Sequence, residues 1–262
     1  MGTKAHQRSL LPVRDRAMNA DEVERIRLAL STFRDGSGQF VKSISAYMPG
    51  YLDFERATAL VCGGGTSEDK SIFDVTVPVP DGLPFGISCK MSVSQPINHK
   101  ASFMELSNSQ KKFSDEFDRL GIDWRSEPEY AGPAVVELVT AWHMAAAQNY
   151  DIPRSRYLVV SHDKMWEQFQ LLCYPLDLTL ADPYEDVEWC NEGSGPSTVA
   201  GYISHGQRRH RLWQLFQRSG GQLKYYPPLE WSDWISSTFC LEEPPIKSIM
   251  EKVEEYFPGR WP

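Results

Sequence analysis

Two short runs of alternating residues, separated by a turn signal, constrain this chain more than anything else in it. Across residues 71–79, Phe73, Val75, Val77 and Val79 fall on one side and Asp74 and Thr76 on the other. Across 85–93, Phe85, Ile87, Cys89, Met91 and Val93 alternate with Ser88, Lys90 and Ser92. A period of two is that of a half-buried strand. Pro80-Asp81-Gly82 between the runs makes a hairpin the simplest connection. Facing residues of a hairpin share a face, and a one-residue slip exchanges the faces, so only an odd-length loop keeps both apolar sets together. A three-residue loop at 81–83 puts position 74 opposite position 90. Asp74 and Lys90 are then neighbours on the polar face.

Helices surround this hairpin. Asn19 and Glu22 form a capping box ahead of Val23, Ile26, Leu30 and Phe33 at helical spacing, and Asp35-Gly-Ser-Gly38 ends that pattern. A second helix is expected from Tyr51 to Cys62, closed by Gly63. Phe103, Leu106, Phe113, Phe117 and Leu120 predict one of about 20 residues. Pro133 opens another that runs to Gln148, and a last one spans 246–256. Strands are expected at 156–160 and 168–173, with a turn at Ser219-Gly220-Gly221. Strands and helices mix without strict alternation, which predicts an α+β fold with a mixed β-sheet flanked by helices.

An Asp on one strand and a Lys on the next, both away from the apolar face, suit phosphodiester cleavage. The carboxylate binds a divalent cation, and the lysine orients or deprotonates the attacking water. Gly63-Gly-Gly-Thr-Ser-Glu-Asp-Lys-Ser-Ile-Phe-Asp74 followed by Gly86-Ile-Ser88-Cys-Lys90 resembles the PD-(D/E)XK nuclease superfamily, in particular its type II restriction endonucleases. The resemblance covers about residues 50–110 and implies a restriction-endonuclease-like core. It implies Asp74 as metal ligand and Lys90 as the residue acting on water. Phe73 stands where the motif has Pro, and Ser88 where it has an acid, which removes a ligand. A subset of these enzymes has Ser-x-Lys here and takes the missing carboxylate from a following helix. That role passes to Glu105, fifteen residues after Lys90, as second metal ligand, although Ser102-Phe-Met-Glu105 also reads as a capping box. Glu55 matches the additional acid that members place beside the metal. Glu68 and Asp69 are alternative donors. Mg²⁺ suits such oxygen ligands and a phosphate substrate.

The chain has 35 Asp and Glu against 27 Lys and Arg, so any polyanion site must be local. Residues 193–229 contain no acid, where the overall content predicts about five. This segment holds Gln207, Arg208, Arg209, His210, Arg211, Gln214, Arg218 and Lys224 among aromatic residues, and is the candidate DNA-contacting element. A basic hairpin packed on the domain is the bland alternative.

The 262 residues fit one nuclease domain, and no run approaches the roughly 20 apolar residues of a membrane span. The N-terminus lacks a signal-peptide core, and five cysteines without a C-x-x-C pair argue against a disulfide framework or structural zinc. A cytoplasmic, prokaryotic protein is expected. His143, on an apolar helix, reads as a satisfied core residue. The resemblance thus implies an Mg²⁺-dependent, sequence-specific endonuclease of double-stranded DNA, acting as a homodimer. The rivals are a repair or modified-DNA nuclease of the same fold, a non-catalytic DNA-binding module, and a hydrolase of another substrate.

Overall fold

The computed structural model describes residues 10–43, 46–66, 72–80, 82–93, 104–108, 110–176, 187–192, 198–216 and 221–260, and the side chains of all these except 41–43, 46, 104–108 and 205. Helix α1 (Ala20–Thr32) begins at Asn19, whose side chain accepts from the Glu22 N–H while the Glu22 carboxylate accepts from the Asn19 N–H. This is the reciprocal cap read from the sequence. Strands β1 (Phe40–Ser43) and β2 (Ala46–Met48) lead into α2 (Tyr51–Cys62). The start of α2 is fixed by buried Asp53, which accepts from the Gly50 and Gln39 N–H groups at 2.8 and 3.2 Å. Gly63 closes its other end at φ 70°, which glycine adopts without strain.

The chain continues through β3 (Gly65–Thr66), β4 (Val75–Val77), β5 (Phe85–Val93), β6 (Met104–Asn108), α3 (Gln110–Leu120) and α4 (Pro128–Ala146). Then follow β7 (Arg156–His162), β8 (Phe169–Pro175), β9 (Glu188–Asn191), β10 (Thr198–His205), β11 (Arg208–Phe216), β12 (Gln222–Tyr225), β13 (Trp234–Ile235) and α5 (Ile249–Tyr256). One sheet has six strands in the order β13-β8-β7-β5-β4-β3, with β5 and β7 parallel and its other neighbours antiparallel. The parallel pair needs a long crossover, and β6, α3 and α4 supply it. The other sheet is antiparallel throughout, in the order β6-β12-β11-β10-β9. The fold is therefore α+β, with a mixed six-stranded sheet flanked by helices.

The six-stranded sheet divides the core. Val75, Val77, Ile87, Cys89, Leu158 and Val160 pack against Ile26 and Leu30 of α1 and Phe54 and Ala57 of α2. On the opposite face, Tyr157, Val159, Leu172 and Tyr174 meet α3, α4 and the inner side of the five-stranded sheet, where Trp213, Leu215, Leu223 and Tyr225 are buried. Burying each of the Val, Leu, Ile and Phe side chains among these stabilises the fold by about 1.5–3 kcal/mol. No helix among the described residues is long and apolar enough to cross a membrane.

The hairpin register differs from the expected one. Val75 pairs with Ile87 and Val77 with Phe85, so the connecting loop runs 78–84 and position 74 falls opposite Ser88, two residues short of Lys90. Pro78, Pro80 and Pro84 lack the N–H that a longer ladder would need. The loop is still odd in length, so the faces are preserved. Phe73 precedes the strand and turns into the other half of the core, against Tyr150 at 4.7 Å between ring centroids.

Where one helix of about 20 residues is expected, the structure has strand β6 and then helix α3. Positions 104–108 pair with β12, and this non-local pairing overrides the local spacing, so Leu106 is on a strand while Phe113, Phe117 and Leu120 are helical; Phe103 lies outside the described residues. Helix α4 begins at Pro128, and Pro133 lies inside it. Helix α5 begins at Ile249, capped by Ser248, instead of at 246.

Candidate active site

Asp74 sits just before β4, with its N–H donating to the Ile87 carbonyl at 3.1 Å. That bond aims its carboxylate along β5. Oδ2 accepts from the Cys89 N–H at 2.7 Å and from the Ser88 hydroxyl at 3.2 Å, and lies 3.6 Å from Lys90 Nζ. Both hydrogen bonds fall on Oδ2, and among the described residues none falls on Oδ1. A hydrogen bond from a backbone N–H to a carboxylate is strong and fixes direction. The Asp74 and Lys90 side chains are 27% and 21% exposed, which leaves the pair reachable from solvent yet partly shielded from it.

Three further groups surround the pair. Ser88, buried where an acid was expected, donates to Asp74 and so orients that carboxylate. Glu55, on the border of the buried stripe of α2, lies within electrostatic range of the pair. Burial first, and then the Asp74 charge, push its carboxyl up to about 7, with Lys90 and Arg56 pulling the other way. His143 continues the buried stripe of Val135 and Val139 along α4 and is itself buried and partnered. Burial, and after it the positive charge of Lys90, lower its imidazole to about 4, so it is neutral near pH 7. The sequence reading as a satisfied core residue holds. What it missed is that the stripe ends within range of Lys90, a tertiary relation with no local signal. Cys89 on the opposite face is pushed well above an ordinary thiol, chiefly by burial, and is no nucleophile.

Glu105 lies on β6, opposite Lys224 in the register with β12, and not at a helix start. Strand β6 approaches β5, but the Glu105 side chain is outside the described residues, as are Glu68 and Asp69. Among the described side chains no three His, Cys, Asp or Glu converge as a metal-ligand group. The donor chemistry nonetheless fits a hard dication. Two carboxylates, Asp74 and Glu55, lie close enough for one to hinder ionisation of the other, which a bound cation would offset.

The acid-free segment forms β10, β11 and β12 of the five-stranded sheet. Gly206-Gln207 is its two-residue turn, with Gly206 at φ 59°, and Gln207 and Arg208 are exposed there. The cations beyond the turn are not bare. Arg209 forms a two-pronged pair with Glu188 of β9 (3.0 and 3.1 Å), and Arg211 lies 3.2 Å from Glu192. Gln214, buried, donates to Glu192 at 2.8 Å and accepts from the Tyr226 hydroxyl at 2.6 Å. His210 Nε2 is 2.7 Å from the Tyr226 carbonyl, and Lys224 lies over the Phe216 ring. Arg218 is outside the described residues. Glu188 and Glu192 both lie just outside the acid-free window, so only the fold brings them to it.

The Asp74–Lys90 site and the basic hairpin are thus on different sheets of one molecule. No family model matches the chain, nor does any curated protein or solved structure.

Proposed function

We propose that the chain is an Mg²⁺-dependent endonuclease of double-stranded DNA, of the type II restriction kind. The observation that carries this reading is the Asp74–Lys90 pair at 3.6 Å, with both Asp74 hydrogen bonds on one oxygen and Glu55 near enough to feel both charges. An acid just before β4 and a lysine on the neighbouring β5, held this way, support the PD-(D/E)XK resemblance. The mixed sheet flanked by helices is compatible with a restriction-endonuclease-like core.

In this reading Asp74 Oδ1 and Glu55, with Glu105 as a further candidate, hold the cation. Bound there, Mg²⁺ would polarise the scissile phosphate and stabilise its developing charge. Ser88 and the Cys89 N–H keep Asp74 Oδ2 in place, so Oδ1 is presented without reorganisation. Lys90 Nζ, as the ammonium paired with Asp74, orients the attacking water and stabilises negative charge developing on the scissile phosphate. His143, neutral beside Lys90, adds no second positive charge to that corner. Duplex phosphates meet the β10–β11 hairpin, and a two-fold homodimer would place two such sites across a palindrome.

Incubation with a long DNA of known sequence tests the reading. Discrete fragments are expected with Mg²⁺ and none with chelator. Lys90→Ala should slow cleavage by about 10²–10³-fold, the range for loss of a positioned charge-stabilising donor. Intact DNA under all conditions, or equal cleavage by Lys90→Ala, would remove the assignment.

A further inference from the structure

The outer face of the five-stranded sheet holds its arginines in two different ways. Arg209 is stacked on Tyr202 (3.7 Å from guanidinium carbon to ring centroid) and grips Glu188 with two nitrogens. That pair is open: the two side chains are 50% and 68% exposed. Arg211 is stacked on Tyr226 at 4.6 Å, and its partner Glu192 also accepts from the Tyr202 hydroxyl and from Gln214. This second group is closed, with Arg211 and Glu192 36% and 22% exposed and Gln214 buried.

An exposed ion pair contributes little, because water and salt screen it. The guanidinium fork accepts a carboxylate or a phosphate in the same two-pronged geometry. A phosphodiester on a duplex adds what Glu188 lacks, the release of condensed counterions on neutralisation. The Tyr202 stack does not depend on the anion, so Arg209 keeps its orientation during an exchange. Glu192 is different. Removing it from its partners would strand the buried Gln214 amide and a half-buried guanidinium.

We propose that Glu188 is a displaceable stand-in for a DNA phosphate: on duplex binding Arg209 exchanges the Glu188 carboxylate for a backbone phosphate, while Glu192 stays and keeps Arg211 and Gln214 fixed beside it. This rests on the nuclease reading only for the choice of duplex DNA as the polyanion. It makes β9 a brake on DNA affinity, set by one exposed carboxylate.

The test is the affinity of the full chain for a labelled duplex oligonucleotide, read by fluorescence anisotropy in chelator over a range of salt. Glu188→Gln should tighten binding by about three- to tenfold at low salt and leave the slope of log K against log salt close to that of the parent chain, because Arg209 reaches the phosphate in both. Arg209→Ala should weaken binding and flatten that slope by about 0.9, one counterion. In the Glu188→Gln/Arg209→Ala double variant the gain from Glu188→Gln should vanish. Unchanged affinity in Glu188→Gln would overturn the proposal, and so would a slope steepened by a whole counterion, which would mean that Arg209 stays on Glu188 in the parent complex. So would a gain that persists without Arg209, which would mark general charge repulsion, or equally tight binding of poly-glutamate. Cleavage is not read in chelator, so the outcome stands apart from that of the Lys90→Ala experiment.

Discussion

The two sheets share one core and use charge in opposite ways. The six-stranded sheet is buried on both faces, and the charges it carries beside its centre, Asp74 and Lys90, sit together at the border of that burial. The five-stranded sheet has one buried face and one polar face, and its arginines are spread over the polar face, each of the two central ones held by an acid. Keeping charge against a doubly buried sheet is costly, and the compensation is local: a backbone N–H, a hydroxyl and an opposite charge on one carboxylate oxygen. On a solvated face charge costs little and settles into stacked, screened pairs. Chemistry is to be sought in the first sheet and contact with a polyanion in the second.

The largest expected effect that would sharpen this division is on the second sheet. Trp213 is fully buried and its ring centroid lies 4.6 Å from that of Tyr225, where both help fill the half of the core shared by the sheets. Trp213→Ala should cost about 3–5 kcal/mol. Denaturant unfolding measures it, and Lys90→Ala beside it should lose cleavage with an unfolding midpoint close to that of the parent chain. If Trp213→Ala were tolerated, the five-stranded sheet would not belong to the shared core. If Lys90→Ala unfolded the chain, Lys90 would be a scaffold residue.

A smaller effect probes the seam beneath the site. The Phe73 ring lies directly on Gly86, so that a Cβ added at Gly86 would come within 2.1 Å of ring carbon. Gly86 N–H also donates to the buried Ser155 hydroxyl at 2.9 Å, so the strand has little freedom to yield. Gly86→Ala should cost about 2–3 kcal/mol by overpacking and, two residues from Ser88, loosen the grip on Asp74. A thermal melt and a cleavage rate on the same preparation should fall together. A cleavage rate unaffected by a clear drop in Tm would separate the seam from the site.

What was legible in the sequence follows the range of the forces involved. Caps are local, so Asn19 with Glu22 and the Gly63 terminus set α1 and α2, and the alternation from Phe85 set β5 to its ends. Parity is also local, which is why Asp74 and Lys90 could be expected on one face although the prolines of the loop shifted their pairing by two. Strand β6 was hidden because it exists through pairing with β12, more than a hundred residues later. The acid-free window looked bare because Glu188 and Glu192 lie outside it in the chain and against it in the fold. His143 carried an apolar helix pattern and nothing that announced Lys90 as its neighbour.

The smallest expected effect comes from that same corner, where two groups titrate with opposite signs. His143 is lowered from the ordinary 6.5 to about 4, so between these values the unfolded chain holds a proton that the folded one does not, and stability is lost as pH falls. Buried His162 is lowered as well, chiefly by desolvation, and adds in the same direction. Glu55 is raised from the ordinary 4.5 to about 7, so the folded chain holds the extra proton, and stability is lost as pH rises through that range. The windows overlap, and Glu55, the more solvent-exposed and therefore the more screened of the two, offsets only part of the histidine contribution. The parent chain should thus lose only about 1 kcal/mol between pH 6.5 and 5. Glu55→Gln removes the opposing group and should steepen that acid-side loss, whereas His143→Gln should flatten it or reverse its sign. Melting curves of the three proteins across this range provide the measurement. Parallel curves would mean that Glu55 and His143 are solvated, and that the charge-sparing corner around Lys90 does not exist.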